Sequence, residues 1–158
     1  MTDDGAPRTG PAVHIAELNV ARSVAPIDHP AMADFVANLD RINTLGDASP
    51  GFVWRLQDES GAATSIHAFD DPLMIVNLTI WESIEALRAY AYRSVHVEFL
   101  RRRWEWFVPL AGPSLVLWWV PAGHRPTVTE ARDRLERLAA DGPSAAAFTL
   151  KATFSPDG

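Results

Sequence analysis

The chain of 158 residues predicts an α+β domain, an antiparallel sheet in the split βαβ, ferredoxin-like arrangement with helices on one face. Three observations lead there. Short apolar, β-branched runs alternate with stretches whose apolar residues recur every three or four positions, in the order β-α-β-β-α-β and then a further α and β. Leu73–Leu110 holds the organising pair, a strand-like run to Ile80 followed, after Trp81-Glu82-Ser83, by a long amphipathic helical pattern. The length suits one domain, and 47% hydrophobic with 22% charged residues is globular composition.

Met1–Pro11 is rich in Gly, Pro, Asp and Thr and has no periodicity. It is expected to be a disordered tail, leaving 12–158 as the single domain. Val13–Val20 reads as a strand with apolar residues on both faces. Asp28-His29-Pro30 opens a helix, since proline is tolerated in a first turn. Met32, Phe35, Val36, Leu39 and Ile42 continue it to a stop near Gly46. Gly51–Gln57 reads as a strand with Phe52, Trp54 and Leu56 on one face and Val53 and Arg55 on the other. Asp58–Pro72 is a long connection of the kind that forms lids or pocket walls.

The helix after Ser83 carries Ile84, Leu87, Ala91, Val95 and Phe99 on one face, beside a polar-aromatic line of Tyr92, His96, Leu100 and Arg103. Ser114–Val120 is the next strand. Thr127-Val128-Thr129-Glu130 matches a capping box opening a helix to about Ala140, with Glu130/Arg134 and Asp133/Arg137 spaced for ion pairs. Phe148–Phe154 reads as a last short strand. The sheet's second face needs cover, because Trp54, Trp118 and Trp119 are costly to leave in water, and sheet-to-sheet dimerisation is one solution.

The bulk numbers exclude several function classes. A net charge of −6 argues against non-specific nucleic-acid binding, and the absence of cysteine removes disulfides, thiolate metal sites and a Cys nucleophile. No apolar run reaches membrane-span length and the start has no signal-like apolar core, so no membrane partner and a cytoplasmic location are expected. There is no Gly-rich phosphate loop, G-x-S-x-G elbow or HExxH motif.

Trp81-Glu82-Ser83 followed by Ile84-Glu85-Ala86-Leu87, then Arg93-Ser94-Val95-His96, resembles the dimeric α+β-barrel superfamily. That group includes antibiotic-biosynthesis and haem-degrading monooxygenases, chlorite-dismutase-like proteins and muconolactone isomerases. Gly51-Phe52-Val53-Trp54-Arg55 and Leu117-Trp118-Trp119-Val120-Pro121-Ala122-Gly123-His124 resemble an uncharacterised bacterial family of that superfamily, a domain of unknown function. The resemblance spans roughly residues 13–154 and implies a dimeric α+β barrel and a homodimer, but no particular reaction. The haem-degrading branch places an Asn in the first strand, a Trp at the end of the third and a His on the next helix. Asn19, Trp81 and His96 stand in those elements, with a longer Trp-to-His interval than that branch has.

His96 is the leading candidate for chemistry, since an imidazole titrating near neutrality moves a proton or ligates a metal. Tyr92 and Arg103, one and two turns away, would orient it or an anionic substrate; the alternative is a hydrogen-bonded structural histidine. Arg101-Arg102-Arg103 points in three directions, so at most one or two of these face a pocket. Arg55 lies in an apolar strand and needs a partner, either a substrate anion or an Asp or Glu. His67, Asp70 and Asp71 are spaced for a metal, but Asp70-Asp71-Pro72 also reads as a turn, which is favoured.

The resemblance then implies a small-molecule enzyme on a hydrophobic, aromatic or polyketide-like substrate, working by proton transfer or cofactor-independent oxygenation. His96 is its acid/base, Tyr92, Asn19 and Arg55 position or stabilise an oxyanion, and Trp81, Trp54, Phe99 and Arg103 bind substrate. No cofactor or metal is expected in this reading. Two others stand beside it: a haem protein with His96 as axial ligand, and a non-catalytic ligand-binding dimer.

Overall fold

A computed structural model describes residues 12–57, 69–92 and 94–157, and the side chains of all of these except 94–96. Its centre is β1 (Val13–Ser23), a strand hydrogen-bonded along both edges. On one edge lies β3 (Met74–Trp81), antiparallel, from Ile15↔Trp81 to Arg22↔Met74. The other edge is shared by β5 (Leu115–Pro121), antiparallel over Val13–Asn19, and by the two-residue β4 (Phe107–Val108) at Arg22–Ser23. The strand β2 (Phe52–Arg55) closes the far side of β3. The spatial order β2-β3-β1-β5, all antiparallel, is the split βαβ arrangement expected from the sequence.

The two faces of β1 bury different things. Ala16, Leu18 and Val20, with Val76, Leu78 and Ile80 of β3 and Val116, Trp118 and Val120 of β5, form a largely apolar face, on which His14 lies opposite Val120. The opposite face carries Ile15, Glu17 and Asn19 of β1 with Asn77, Thr79 and Trp81 of β3, following the period of two. Helix α1 (Ala33–Asp47), after a short turn of 3-10 helix at Pro30–Met32, packs on this second, mixed face. His29 caps that turn, its Nδ1 accepting from the Ala31 N–H at 3.0 Å.

Several expectations are corrected. A β-bulge between Phe52 and Trp54 pairs Phe52 with Trp81 and Trp54 with Ile80, so the two rings point to opposite faces instead of sharing one. The long helix is three pieces, α2 (Ile84–Ala91), α3 (Ser94–Arg101) and α4 (Arg103–Trp106). A straight helix over this stretch would run about 34 Å, against about 27 Å for the eight-residue strand before it. Breaking it lets α2 pack Leu87 on Trp81 while Trp106 of α4 turns to Phe35 of α1. Ser83 caps α2 as its position suggested, accepting from the Ala86 N–H at 3.1 Å.

The sheet's second face is covered within the chain. Helix α5 (Val128–Asp141) lays Ala131, Leu135 and Leu138 on the apolar face and brings Trp118 to 1% exposure, so one helix sits opposite the others rather than all on one side. Thr127 caps α5 by accepting from the Glu130 N–H, but Glu130 does not return the bond. Its carboxylate meets His124 Nε2 at 2.9 Å and accepts from Trp118 Nε1 at 3.4 Å. Arg134 donates to the Ala146 carbonyl, so neither expected i,i+4 ion pair forms among the described residues; Arg132–Glu136 does, at 3.1 Å. Residues 144–152 hold isolated bridges, one joining Phe148 to Leu117, in place of a regular last strand. Phe148 is fully buried there.

Gly51, which starts the β2 turn, sits at φ +82° and accepts from the Glu82 N–H at 2.7 Å; a Cβ added there would lie 2.5 Å from that of Ala86. Gly51→Ala is therefore expected to lose at least the roughly 1–3 kcal/mol of a strained left-handed residue, besides the overlap. Urea denaturation reads this directly, and an unchanged midpoint would contradict the packing of α2 against the β2 turn.

Candidate functional site

Between the mixed face of the sheet and the helices α1, α2 and α3 lies a cavity of about 430 Å³, within the range of small-molecule sites. Its apolar wall is one aromatic cluster. Phe35 of α1 lies 5.6 Å from Phe99, 5.2 Å from Phe107 and 5.9 Å from Trp106, centroid to centroid, with the Phe107 contact edge-on. Leu39, Ile42 and Ile75 extend this wall. The sheet side is polar. Asn19 and Asn77 stand directly opposite one another on β1 and β3, and Asn43 of α1 faces the same space. None of these three amides has a side-chain hydrogen bond to another described residue, so their donors and acceptors are available to a ligand.

Next to the amide pair on the same strand face, buried in the layer behind the cavity and outside its lining, lies a carboxyl group that the sequence pattern marks only as a strand residue. Glu17 is two positions before Asn19 on the same face of β1, opposite Thr79 on one side and Leu117 on the other, and is 7% exposed. It forms no hydrogen bond or ion pair with another described residue. Burial alone pushes its carboxyl up to about 7. An acidic side chain inside an otherwise apolar strand was the available signal; its isolation from any counter-charge is set by the tertiary neighbours.

The neighbours of Glu17 form a braced layer. Trp81 donates from Nε1 to the Thr79 hydroxyl at 3.0 Å and stacks on Tyr90, centroids 5.1 Å apart and planes 28° apart. Phe52 meets Trp81 edge-on at 5.4 Å. Tyr90 reaches the cavity, and its hydroxyl lies 3.4 Å from the Ile42 carbonyl. Burial, followed by the nearby Glu17 and Asp47 carboxylates, pushes the phenol up to about 12, so it stays protonated. Beside it Arg55 pairs with Asp47, Nε to Oδ1 at 2.8 Å and Nη2 to Oδ2 at 3.3 Å, a two-point bond that fixes the guanidinium at the cavity edge.

Of the residues singled out from the sequence, Asn19, Arg55, Phe99 and Arg103 come together on this cavity. Trp81 is buried behind Tyr90 at 1% exposure and braces the lining. Trp54 is on the other face, packed with the α5 cluster under Arg125. Tyr92 ends α2 and is 74% exposed, outside the lining. The backbone of His96 lies in α3, but its side chain is outside the described residues. The same holds for His67 and for most of the 58–72 connection. Of the arginine triplet, Arg103 faces the cavity, Arg102 is tied to Asp34 and Glu105 above Trp106, and Arg101 is exposed.

The 70–72 segment is the turn it resembled. Asp71 Oδ1 accepts from the Leu73 N–H at 2.9 Å and Oδ2 from Arg22 Nε at 2.7 Å. The arginine bond, then the backbone one, holds that carboxyl below its usual range. Among the described residues no group of three potential ligands could hold a metal ion. The haem reading turns on His96, whose side chain lies outside the described residues; the phenol of the described lining, Tyr90, is held protonated.

Burial of Glu17 has a measurable consequence. At pH well below 4.5 the carboxyl is neutral in both the folded and unfolded chain. From about pH 4.5 to 7 the unfolded chain releases the proton while the folded chain keeps it, so stability falls as pH rises through that window. The loss is roughly 3 kcal/mol by pH 8, at about 1.4 kcal/mol per pH unit. Glu17→Gln is thus expected to match the parent near pH 4 and exceed its stability at pH 8. Chemical denaturation at both pH values checks this, and a difference independent of pH would show that Glu17 is not buried uncompensated.

Comparison with known proteins adds the following. No curated protein sequence matches the chain. Similar solved structures include SnoaB, a cofactor-independent oxygenase from Streptomyces nogalater, at 18% identity over 75% of this chain and 100% of that one, with a TM-score of 0.45. A putative antibiotic biosynthesis monooxygenase from Nitrosomonas europaea matches at 12% identity, over 75% and 97% of the two chains, with a TM-score of 0.47. A conserved protein from Methanosarcina mazei matches at 10% identity, over 70% and 93%, with a TM-score of 0.48. The sequence profile of one family, described as a domain of unknown function (DUF3291), matches residues 14–158, nearly the whole chain, and the protein belongs to that family.

Proposed function

We propose that the protein is a small-molecule enzyme that holds a hydrophobic, aromatic or polyketide-like substrate in the cavity and removes a proton from it. The observation that carries this reading is the set of unpartnered amides on the cavity with, two positions along the same strand face and just behind the lining, a buried carboxyl that has no partner among the described residues. Asn19 and Asn77 are directed at the space where an enolate oxygen would form, and preorganised donors stabilise such charge without reorganising. Glu17, with its affinity for protons moved near neutrality, is matched to accept one at physiological pH. His96 is the other candidate base, on the helix that walls the cavity. Phe35, Phe99 and Phe107 hold the apolar body of the substrate and exclude water.

Proton removal alone gives isomerase- or cyclase-like chemistry. In the presence of dioxygen the same carbanion supports cofactor-independent oxygenation. The deprotonated CH2 carbon adds O2 to form a hydroperoxide, and loss of water leaves a ketone, so CH2 and O2 become C=O and H2O.

The test is solvent-deuterium wash-in followed by proton NMR, with oxygen uptake in parallel, across aromatic 1,3-diketones and fused-ring ketones. Wash-in is expected to rise with pH through about 7, as Glu17 ionises. Glu17→Gln should lower it about 10²–10⁴-fold, and Asn19→Ala about 10²–10³-fold. If Glu17→Gln keeps the rate and His96→Gln loses it, the base is the imidazole. Binding without wash-in or oxygen uptake across the panel would make the protein a ligand carrier instead.

A further inference from the structure

We infer that the cavity is built for an organic anion, an aromatic body carrying one negative group held at the mouth by Arg103 and Trp104. This rests on the cavity being the ligand site, as proposed above, and extends it to the ligand's charge.

Among the described residues two cations line the cavity, and they differ in what neutralises them. Arg55 is committed to Asp47 by two hydrogen bonds. Arg103 has no carboxylate partner among the described residues; Nη1 donates to the Leu100 carbonyl at 2.7 Å, and the guanidinium lies over the Trp104 ring, 4.7 Å from its centroid. The acids nearest in the fold are occupied elsewhere. Asp34 and Glu105 bind Arg102 at 2.9 and 2.8 Å, and Glu98 faces Arg41 at 3.7 Å. The Arg102 bond holds the Glu105 carboxyl below its usual range.

Arg103 and Trp104 are both exposed while lining the cavity, which places them at its mouth. One nitrogen of Arg103 is anchored to the helix end and its plane rests on an indole, so the guanidinium is oriented before any ligand arrives. Its remaining donors suit a carboxylate, enolate or sulfonate. Trp104, 56% exposed, offers a ring face beside that charge, continuing the aromatic wall of Phe99 and Phe107 to the surface. A neutral apolar ligand would leave this oriented cation unused. In a chain of net charge −6, the cation is what would give an anion a reason to bind.

The experiment uses two fluorescent probes with the same ring system, 8-anilinonaphthalene-1-sulfonate and the uncharged N-phenyl-1-naphthylamine, titrated into the full chain at low and at 0.5 M salt. The sulfonate is expected to bind about five- to tenfold more tightly at low salt, and the preference should shrink at high salt because the cation is exposed. Arg103→Gln should abolish the preference while leaving the uncharged probe unchanged. Arg101→Gln, which removes the same charge from an exposed position outside the lining, should keep it. Equal affinity of the two probes, or a preference that survives Arg103→Gln, overturns the inference and leaves the cavity as a site for neutral ligands. Binding of neither probe overturns the cavity as a ligand site, and this inference with it.

Discussion

The simultaneous pairing of β1 with β3 and β5 is the constraint on which the remaining structure depends. A strand hydrogen-bonded on both edges has no freedom of register, and a slip of one residue would exchange its two faces. Here that exchange would put Glu17 and Asn19 against α5 and turn Ala16 and Leu18 toward the opposite face. The apolar face, where Leu18 and Leu78 have no solvent exposure, makes that slip prohibitive. Burial of one face thus fixes the polar groups on the other.

Division of labour between the faces follows. The α5 side is dominated by apolar side chains and has the character of a core. Across the sheet the helices do not close fully over the strands. The aromatic cluster around Phe35 props α3 and α4 against α1, and the space left toward Asn19 and Asn77 is the cavity. Trp81 joins both roles: fully buried, hydrogen-bonded to Thr79 and stacked under Tyr90, it turns core packing into a rigid cavity lining. Glu17 is then an isolated carboxyl amid that packing, and its burial carries a stability cost above neutral pH.

Electrostatics are graded from the packed layer behind the cavity to its mouth. Around Glu17 the surroundings are dry and unpaired, so its proton affinity rises. At the edge, Arg55 and Asp47 neutralise one another. At the mouth, Arg103 keeps its charge without a carboxylate partner among the described residues. The unneutralised charge thus lies at the mouth, and the group with raised proton affinity lies in the interior.

Much of the fold was legible because periodicity reports burial. The alternation of β1, the apolar run of β3, the Ser83 and Thr127 caps and the position of α5 follow from local pattern, and the structure keeps them. Part of the site was legible too, since Asn19, Arg55, Phe99 and Arg103 are polar or aromatic residues within elements whose placement the pattern predicts. The bulge that separates Phe52 from Trp54 was not legible, nor was the division of the long helix, because both answer to partners distant in sequence, Trp81, Ile80 and Phe35. Covering of the second sheet face by α5 is of the same kind. So is the state of Glu17: sequence alone places a carboxyl in a strand, and only the packing around it, Thr79 and Leu117 on either side with no cation in bonding reach among the described residues, decides that it holds a proton near neutral pH. Local pattern determines which residues are buried; the tertiary structure decides what they are buried against, and the chemistry follows from that.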